Sequence, residues 1–553
     1  MKGNNKLITS EKHLLLLQTG PVQDFITAAR TTDDLFSGSY LIAYLTAAGI
    51  KYVRDNGGEI IFPCLENQTV FERICGETKD LGQPTLPNRF LAEVPAAHAG
   101  AIARGAEAAI RNELAKISAA CFDGFCKLFS ESGSKYEKRW NKQVERFLQI
   151  AWQTVPLKED WGESYADLLA NLAARRNTRN FVQYSGDDGI TELQKDALNG
   201  KDEIVGDLEE WEKIRGRKNF TNADEKSTGD KPYGALSVIK RLWGECYLKQ
   251  SIEAENYSAF QLKKRSSGEA AEYIAAIQMD GDHMGSILSS QDKKKDFFTR
   301  FSKKLANFTR QEADKIVSNH KGRLIYAGGD DVLAIVPACE AVACARELRE
   351  KFCADEPDMP GSENKLPDVP KVTLSAGIAF AHWKTPLIWL LEEARAAEHR
   401  AKNEYQRDAL AISIVKRGGE ILQWGAKFES RAWDAYKSFI DLDKSELISG
   451  KFATALAMFL RPYGLEELRE KETAILSNII KSDFALVCSR QVQKSERQQN
   501  EDEKRQLADF AEAANAYVDE LKSKNQLADF PQLFLAGNFL IRKKQSNQGE
   551  KNA

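Results

Sequence analysis

The sequence predicts an α+β protein in which two sheet-containing domains alternate with two mainly helical domains. Its 553 residues exceed what one hydrophobic core usually supports. Strand-like apolar runs bounded by Gly and Pro occur near the start of the chain and again from Tyr273. The sequence between and after these runs is rich in Ala and in charged residues, with the spacing typical of helices. We therefore expect domains at residues 1–100, 101–265, 266–425 and 426–553.

The first sheet-containing domain begins with a compact apolar strand at residues 13–18. Gly20-Pro21 ends this strand and precedes a helical pattern. A second helix is expected near residues 40–48, and the short apolar run at residues 60–62 predicts another strand. The order strand, turn, helix, strand indicates an α+β unit.

The two helical regions contain the least regular segments of the chain. Residues 187–230 are rich in Gly, Asp, Asn and Lys, which predicts a long, poorly ordered surface loop. Residues 491–504 are charged and Gln-rich, as is typical of a solvated loop or an exposed helix.

Composition excludes several classes of protein. Lys and Arg total 78 against 81 Asp and Glu, so no global basic field draws the chain to nucleic acid. The nine cysteines include no CxxC pair, which argues against a disulfide framework and a zinc ribbon, so no zinc is expected. No apolar run is long enough to span a bilayer. We expect a cytoplasmic protein with no membrane partner.

The second sheet-containing domain has the clearest motifs. The run YIAAIQMDGD predicts a strand that ends at Asp280, and RLIYAGGDDVLAIVP at residues 323–337 predicts a β-hairpin with carboxylates at its tip. A further strand at residues 372–380 leads into a helix with apolar residues at helical spacing from Leu387 to Ala401.

Three carboxylates are expected at one edge of this second sheet. If the strands pair as neighbours, Asp280 lies beside Asp330 and Asp331 of the hairpin tip. Such a cluster repels itself without a cation, and oxygen-only ligands suit Mg²⁺ or Mn²⁺. Nucleotidyl-transfer enzymes often hold two such ions roughly 3.5–4 Å apart. A GGDD segment alone is also a good hairpin turn with solvated acids, so the ordered combination of motifs carries the prediction.

Residues beside the carboxylates suit a triphosphate. Gly328 and Gly329 permit a tight turn and close approach of a phosphate to the backbone. Lys402 and Arg407 lie at the end of the helix that follows the strand containing Ser375, where cations can meet phosphates.

The motifs together resemble a known family. LLQTGPVQDFITAARTTDDLFSGSYL, LPNRFLAEVP, ARRNTRNF, QMDGDHMGSIL, IYAGGDDVLAIVP and VTLSAGIAFAHWKTPL are similar to segments of the large subunit of type III CRISPR effector complexes, in particular the Cmr-type (III-B) branch. That family resembles GGDEF-type cyclases and polymerase palms. The resemblance implies two ferredoxin-like palm domains interleaved with two helical domains, and it spans about residues 13–420.

The resemblance also implies roles for individual residues. Asp280, Asp330 and Asp331 would be catalytic and would hold the two Mg²⁺ or Mn²⁺ ions, with the backbone of Gly281 close to them. The nucleotide contacts in the second domain would come from Gly328, Gly329, Asp282, Ser375, Lys402 and Arg407.

The first domain lacks the corresponding metal ligands. When LLLQTGPVQDF is laid on AAIQMDGDHMG, Asp280 falls on Gly20 and Asp282 falls on Val22. The first palm is therefore expected to supply an acceptor-side nucleotide pocket through the turn from Gly20 to Gln23.

The implied function is an RNA-guided antiviral nucleotidyltransferase. On binding target RNA, the two palms would align ATP molecules and form cyclic oligoadenylate. The expected partners are guide RNA, target RNA and other Cmr subunits, notably the Cas5-like and the small helical subunit. Two alternatives remain: the same site joins ATP to S-adenosylmethionine, or the subunit is a catalytically silent RNA-binding scaffold. A diguanylate cyclase is disfavoured because GGDD replaces GGDEF and the other domains would be unexplained.

Many members of the family carry an additional N-terminal HD nuclease domain. None of the six His residues here is followed by Asp. We therefore expect this chain to lack that domain and to have no DNase activity.

Overall fold

The computed structural model describes residues 11–129, 135–178, 194–213, 232–252, 273–289, 294–354, 372–466, 468 and 470–545. These residues form two β-sheets and a helical C-terminal region. Within them, no helix combines the length and the apolar content needed to cross a membrane.

The first sheet has four antiparallel strands in the order β2-β3-β1-β4. Its strands are β1 (Lys12–Gly20), β2 (Glu59–Phe62), β3 (Arg89–Pro95) and β4 (Gln149–Pro156). Helix Thr32–Asp55 connects β1 to β2, and helix Ala99–Leu128 follows β3. This βαββαβ order confirms the ferredoxin-like prediction.

The predicted boundary of the first domain at residue 100 is wrong. Strand β4 lies in the region predicted to be mainly helical, yet it pairs with β1 along its whole length, from His13 opposite Pro156 to Gly20 opposite Gln149. A single edge strand of eight residues is easily missed between long helices, because its pairing partner lies more than 120 residues away.

Helices cover the first sheet and extend from it. The helical elements of this half are Gln23–Thr27, Thr32–Asp55, Thr69–Cys75, Ala96–His98 (3-10), Ala99–Leu128, Glu137–Phe147, Trp161–Asn177, Leu208–Lys213, Ala235–Trp243 and Gly244–Leu248 (π). Thr31 caps the first long helix by accepting from the backbone N–H of Asp34 at 3.0 Å. The Asp34 carboxylate also pairs with Arg241 at 2.9 Å, and this buried pair joins two helices distant in sequence.

The prediction of a poorly ordered loop over residues 187–230 is wrong for residues 194–213. Trp211 is only 1% exposed, and its indole N–H donates to the carbonyl of Val205 at 2.8 Å. The local sequence is mostly polar, but Trp211 is buried together with Leu198, Ile204 and Val205, and these side chains hold the segment in place. The rest of the predicted loop, residues 187–193 and 214–230, lies outside the described residues.

The second sheet has six strands in the order β10-β9-β8-β5-β7-β6. Its strands are β5 (Tyr273–Gly281), β6 (Arg323–Gly328), β7 (Asp331–Pro337), β8 (Leu374–His382), β9 (Ala409–Val415) and β10 (Ile421–Lys427). Only β8 and β9 pair in parallel. The four strands β8, β5, β7 and β6 repeat the ferredoxin-like order, and the predicted hairpin is confirmed as β6–β7.

Helices pack on both faces of the second sheet. These elements are Met284–Leu288, Lys295–Asn307, Phe308–Glu312 (π), Ala313–Asn319, Ala341–Cys353 and Leu387–Asn403. Cys344, in one of them, is fully buried, as is Cys121 of helix Ala99–Leu128.

The two sheet domains share their cores. Leu14 and Leu16 of β1 belong to one apolar cluster with Ile277 and Met279 of β5. On the opposite face of the second sheet, the Ser39 hydroxyl donates to the carbonyl of Ile325 at 2.8 Å in a buried position. The domains therefore pack as a pseudo-dimer with an apolar interface.

The C-terminal region is helical, as predicted. Its elements are Ala432–Lys444, Phe452–Leu460, Arg461–Tyr463 (3-10), Glu470–Gln491, Glu496–Gln498 (3-10), Glu501–Lys524 and Asp529–Gln545. Aromatic rings fill its core, with Phe439 and Phe534 at 5.4 Å and Phe452 and Phe510 at 5.8 Å between centroids. Trp424 of β10 donates to the Tyr517 hydroxyl at 3.1 Å, which joins this region to the second sheet.

Asp529 makes the junction of this region with the second sheet sensitive to pH. Burial raises the pKa of the Asp529 carboxyl to about 7, although the Tyr405 hydroxyl donates to it at 3.1 Å. The folded pKa exceeds the unfolded one, so the folded state binds the proton more tightly. Stability is therefore lost as pH rises from about 4 to about 7, with about 1.4 kcal/mol for each unit between the two pKa values.

We expect Asp529→Asn to remove this pH dependence. The amide oxygen still accepts from Tyr405, while the charge that is costly to bury is absent. The melting temperature of the variant, relative to the unmodified chain, should increase progressively between pH 4 and pH 8. A difference in melting temperature that stays constant across that pH range would contradict the raised pKa of Asp529.

Candidate active site

The three predicted carboxylates lie at one edge of the second sheet. β5 and β7 pair with Met279 opposite Val332, and continuing this register by one residue places Asp280 opposite Asp331. Asp330 and Gly329 form the two-residue turn between β6 and β7. The structure thus places Asp280 and Asp331 on neighbouring strands at this edge, with Asp330 in the adjoining turn.

Two glycines permit this geometry. Gly329 has φ +72°, a left-handed conformation that L side chains rarely adopt, and so it allows the tight turn before Asp330. A Cβ at Gly281 would lie 2.8 Å from the Cβ of Asp330. The strand end and the hairpin tip can therefore touch only because residue 281 has no side chain.

The surroundings of the two hairpin carboxyl groups, Asp330 and Asp331, disfavour their charged forms. Burial, and then the charge of Asp331, raise the pKa of Asp330; burial likewise raises the pKa of Asp331. The Arg89 guanidinium opposes both shifts, and Arg395 opposes the shift of Asp331. A bound cation would remove this penalty, as expected of a site that accepts a positively charged ligand.

Helix Leu387–Asn403 brings the positively charged side chain of Lys402 to this edge of the sheet. The ammonium group of Lys402 contacts the carboxylate of Asp280, and it lies 2.8 Å from Oε1 of Glu398, one helical turn earlier. Burial, and then the charge of Arg407, lower the pKa of Lys402 to about 8. Lys402 is therefore at the predicted location, where it neutralises Asp280.

The approach of this helix depends on Gly377. A Cβ at this position of β8 would overlap the backbone of Glu398 and the carbonyl of Ala394. The helix backbone thus lies directly on the strand, which moves Glu398 and Lys402 toward the carboxylate edge.

Arg407 follows the helix in a strained turn. Gln406, Arg407 and Asp408 have consecutive positive φ values of 58°, 61° and 44°. The Arg407 Nε is buried and has no hydrogen-bond partner among the described residues. Its charge partly opposes the raised pKa of Glu398, which burial and then Asp331 move to about 7. Arg407 therefore lies near the predicted location, close to Lys402 and Glu398.

The structure does not support nucleotide contacts for the side chains of Asp282 and Ser375. Ser375 is fully buried and donates to Oδ1 of Asp282 at 2.7 Å. Oδ2 of Asp282 accepts from the Thr373 hydroxyl at 2.8 Å and from the backbone N–H of Asp408 at 2.9 Å. With 1% exposure and three donors, Asp282 fastens the end of β5 to β8 and to the strained turn.

The turn from Gly20 to Gln23 lies beside the hairpin of the second sheet. Gly20 ends β1, opposite Gln149 of β4. Val22, between Gly20 and Gln23, packs against an apolar cluster that includes Ile325 of β6 and Leu333 of β7. Gln23 is exposed at the start of its short helix, so the predicted acceptor turn is accessible.

The donor set suits a hard divalent cation. Asp280, Asp330 and Asp331 offer only oxygen atoms, which favour Mg²⁺ or Mn²⁺ over Zn²⁺. Among the described residues, no three His, Cys, Asp or Glu side chains are gathered closely enough to hold a metal as they stand. Asp280 contacts Lys402 through Oδ2, so a cation at that oxygen would compete with the ammonium group.

Three charged residues near the site were missed in the sequence. Arg89 belongs to the first domain, while Arg395 and Glu398 belong to helix Leu387–Asn403. The spacing of Arg395, Glu398 and Lys402 on one face of a helix was an available signal. Arg89 stands at the start of a mostly apolar strand, but no local pattern connects it to the second sheet.

Comparison with known proteins identifies both sheet domains. Residues 273–411 match the family model described as Cas10/Cmr2, second palm domain. Residues 14–119 match the model described as CRISPR-associated protein Cmr2, N-terminal. The matched ranges contain both ferredoxin-like sheets apart from β4, the outermost strand β10 and most of β9.

Two curated proteins are similar in sequence. The CRISPR system Cmr subunit Cmr2 of Pyrococcus furiosus is 25% identical over 551 residues, covering 75% of this chain and 62% of that protein. The CRISPR system CMR subunit Cmr2 of Saccharolobus solfataricus is 31% identical over 134 residues, 22% of this chain and 11% of that protein. The chain thus matches 62% or less of the length of each of these relatives.

Solved structures with a similar fold cover most of the chain. A chain of the type III-B Cmr-beta complex in the apo state has a TM-score of 0.59 at 13% identity, covering 89% of this chain and 78% of that one. This similarity shows a shared fold.

Proposed function

Since the chain belongs to the Cas10/Cmr2 family, we propose that it is the large subunit of a type III-B CRISPR effector complex and that it polymerises ATP. The observation that carries the proposal is the edge of the second sheet, where Asp280, in contact with Lys402, lies at the end of the strand beside Asp331 and the turn that holds Asp330. Acidic ligands for divalent cations beside a lysine are what the transfer of a nucleotidyl group requires.

The proposed reaction joins ATP molecules through 3′–5′ linkages. The 3′-oxygen of one nucleotide bonds to the α-phosphorus of another, the bond from that phosphorus to the β-phosphate oxygen breaks, and pyrophosphate leaves. The hydroxyl proton passes to solvent. Repetition followed by ring closure gives cyclic oligoadenylate.

The residues of the site would have different roles in this reaction. Asp280, Asp330 and Asp331 would hold Mg²⁺ or Mn²⁺, which neutralises the charge developing on the phosphates. Lys402, released from Asp280, and Arg407 would bind the triphosphate, and the turn from Gly328 to Asp330 would let it approach the backbone. The exposed turn at Gln23 supports an acceptor site on the first palm.

The partners we propose are guide RNA, target RNA and other Cmr subunits, including the Cas5-like and the small helical subunit. The description of the Pyrococcus relative as a subunit of a Cmr system supports assembly with other subunits. The near-neutral charge of the chain supports local RNA contacts in place of a general basic surface.

The proposal is tested on the assembled complex. The complex would be incubated with guide RNA, matching target RNA, Mg²⁺ or Mn²⁺ and labelled ATP, and the products identified by mass spectrometry. We expect target-dependent oligoadenylates that EDTA abolishes. Omitting the target RNA is the control, because synthesis without it would contradict RNA-dependent activation.

Parallel reactions with S-adenosylmethionine separate the alternatives. A product that requires it would retain the carboxylate site but replace the acceptor. No target-dependent nucleotide product under either condition would contradict the enzyme proposal and favour an RNA-binding scaffold.

A further inference from the structure

Arg89 of the first domain is fixed in place by its neighbours in sequence. It opens β3 opposite Gln18 of β1. The residue before it, Asn88, exchanges two hydrogen bonds with Thr19: the Thr19 N–H donates to the Asn88 carbonyl at 2.8 Å, and the Asn88 side-chain amide donates to the Thr19 carbonyl at 2.8 Å. Backbone and side chain together thus hold the start of β3 against the end of β1.

The side chain of Arg89 faces the hairpin tip of the second domain. Arg89 and Asp330 line the same small cavity of about 30 Å³ between the two domains. Its other walls are apolar or aromatic: Leu16, Phe62, Leu91, Tyr165, Met284, Leu288, Phe298, Phe301 and Leu305. Phe62 also lies 3.4 Å from where a Cβ of Gly329 would be, so the first domain packs directly on the turn.

The charges in this cavity are complementary. Burial alone would lower the pKa of the Arg89 guanidinium, but Tyr165, Asp330 and Asp331 together raise it above its ordinary value. A desolvated guanidinium is costly unless anions compensate it. The two hairpin carboxylates are those anions, and they come from the other domain.

We propose that Arg89 is a positioning residue of the carboxylate site. It neutralises Asp330 and Asp331 while no cation is bound, and it thereby sets the affinity of the second domain for a divalent cation. The affinity then depends on how closely the first domain packs on the hairpin. This inference rests on the proposed function only in that the site binds a divalent cation.

A double-mutant cycle tests the neutralising role without any nucleotide chemistry. In EDTA, Arg89→Met should lower the melting temperature by at least about 4 °C, because it leaves two half-buried carboxylates uncompensated. In the D330N/D331N background, the change in melting temperature caused by Arg89→Met should have the opposite sign. Because neither hairpin residue then carries a negative charge to compensate the guanidinium of Arg89, Arg89→Met should raise the melting temperature.

A role in packing alone predicts a different result. If Arg89 only fills space beside Phe62 and Tyr165, Arg89→Met destabilises both backgrounds alike, and this outcome would overturn the proposal. The D330N/D331N background also provides a test if Arg89→Met alone fails to fold. Arg89→Lys should retain most of the wild-type melting temperature because it keeps the charge.

Titration with Mn²⁺ alone tests the effect on affinity. Removing a positive charge beside the site should tighten Mn²⁺ binding to the Arg89→Met chain by at least about fivefold. Arg104→Met, which removes an exposed cation from helix Ala99–Leu128, should leave binding unchanged. Unchanged or weaker binding to Arg89→Met would overturn the proposal. Absence of Mn²⁺ binding to the unmodified chain would refute the proposed function but leave the sign reversal in EDTA as an independent test.

Discussion

Replacing both hairpin carboxylates, as D330N/D331N, should abolish nucleotide synthesis while leaving the chain folded. Asn keeps the shape of Asp but is a poor ligand for Mg²⁺ or Mn²⁺. Since metal ions contribute several kcal/mol to such transfers, we expect activity to fall by about three orders of magnitude or more. The measurement is the initial rate of oligoadenylate formation by the assembled complex with target RNA.

The same variant should be as stable as the unmodified chain or more stable. Burial raises the pKa of both carboxyls above the usual value, so their charged forms weaken folding at pH 8, and the neutral amides avoid that penalty. Thermal unfolding in EDTA measures this. Asp519→Asn, at an exposed surface ion pair, is the matched control. It should change neither the rate of oligoadenylate formation nor the melting temperature.

A loss of activity accompanied by a large loss of stability would mean that Asp330 and Asp331 are structural. Retained target RNA binding would show that the complex still assembles. Full synthesis by the D330N/D331N complex would refute the assignment of the active site.

The parts of this site that could be predicted from the sequence are those encoded locally. The hairpin from Arg323 to Pro337 has two apolar runs around a four-residue polar tip, and that pattern fixes its register. Asp280 ends an apolar strand, and one pairing rule was enough to place it beside the tip. Lys402 was found because helical spacing puts it at the end of the helix after β8.

The parts that could not be predicted depend on contacts between distant segments. Asp282 and Asp280 are both carboxylates at the end of β5, and only the packing of Ser375 and of the turn at Asp408 shows that Asp282 is buried. The sequence likewise gave no sign that Lys402 contacts Asp280 when no metal is present. Arg89 is separated from the hairpin by more than 230 residues, and its role follows from how two domains pack.

Substituting Gly377 should have the second largest effect, through the position of helix Leu387–Asn403. The Cβ of an alanine at residue 377 would overlap the backbone of Glu398, which cannot rotate away as a side chain could. The helix must therefore move off β8. We expect Gly377→Ala to reduce the free energy of unfolding by about 1–3 kcal/mol or more, as measured by chemical denaturation.

The movement should cost more activity than the loss of stability explains. Lys402 and Glu398 lie on the displaced turn of the helix, and a shift of about 1 Å in a positioned group can reduce the rate about 100-fold. Synthesis should therefore fall even at temperatures where the variant is fully folded. Gly418→Ala is the control, because a Cβ there meets nothing within 4 Å and should change the free energy of unfolding by no more than about 0.5 kcal/mol. Wild-type activity in a destabilised Gly377→Ala complex would show that the site tolerates displacement of the helix, and Lys402 would then have no part in binding the triphosphate.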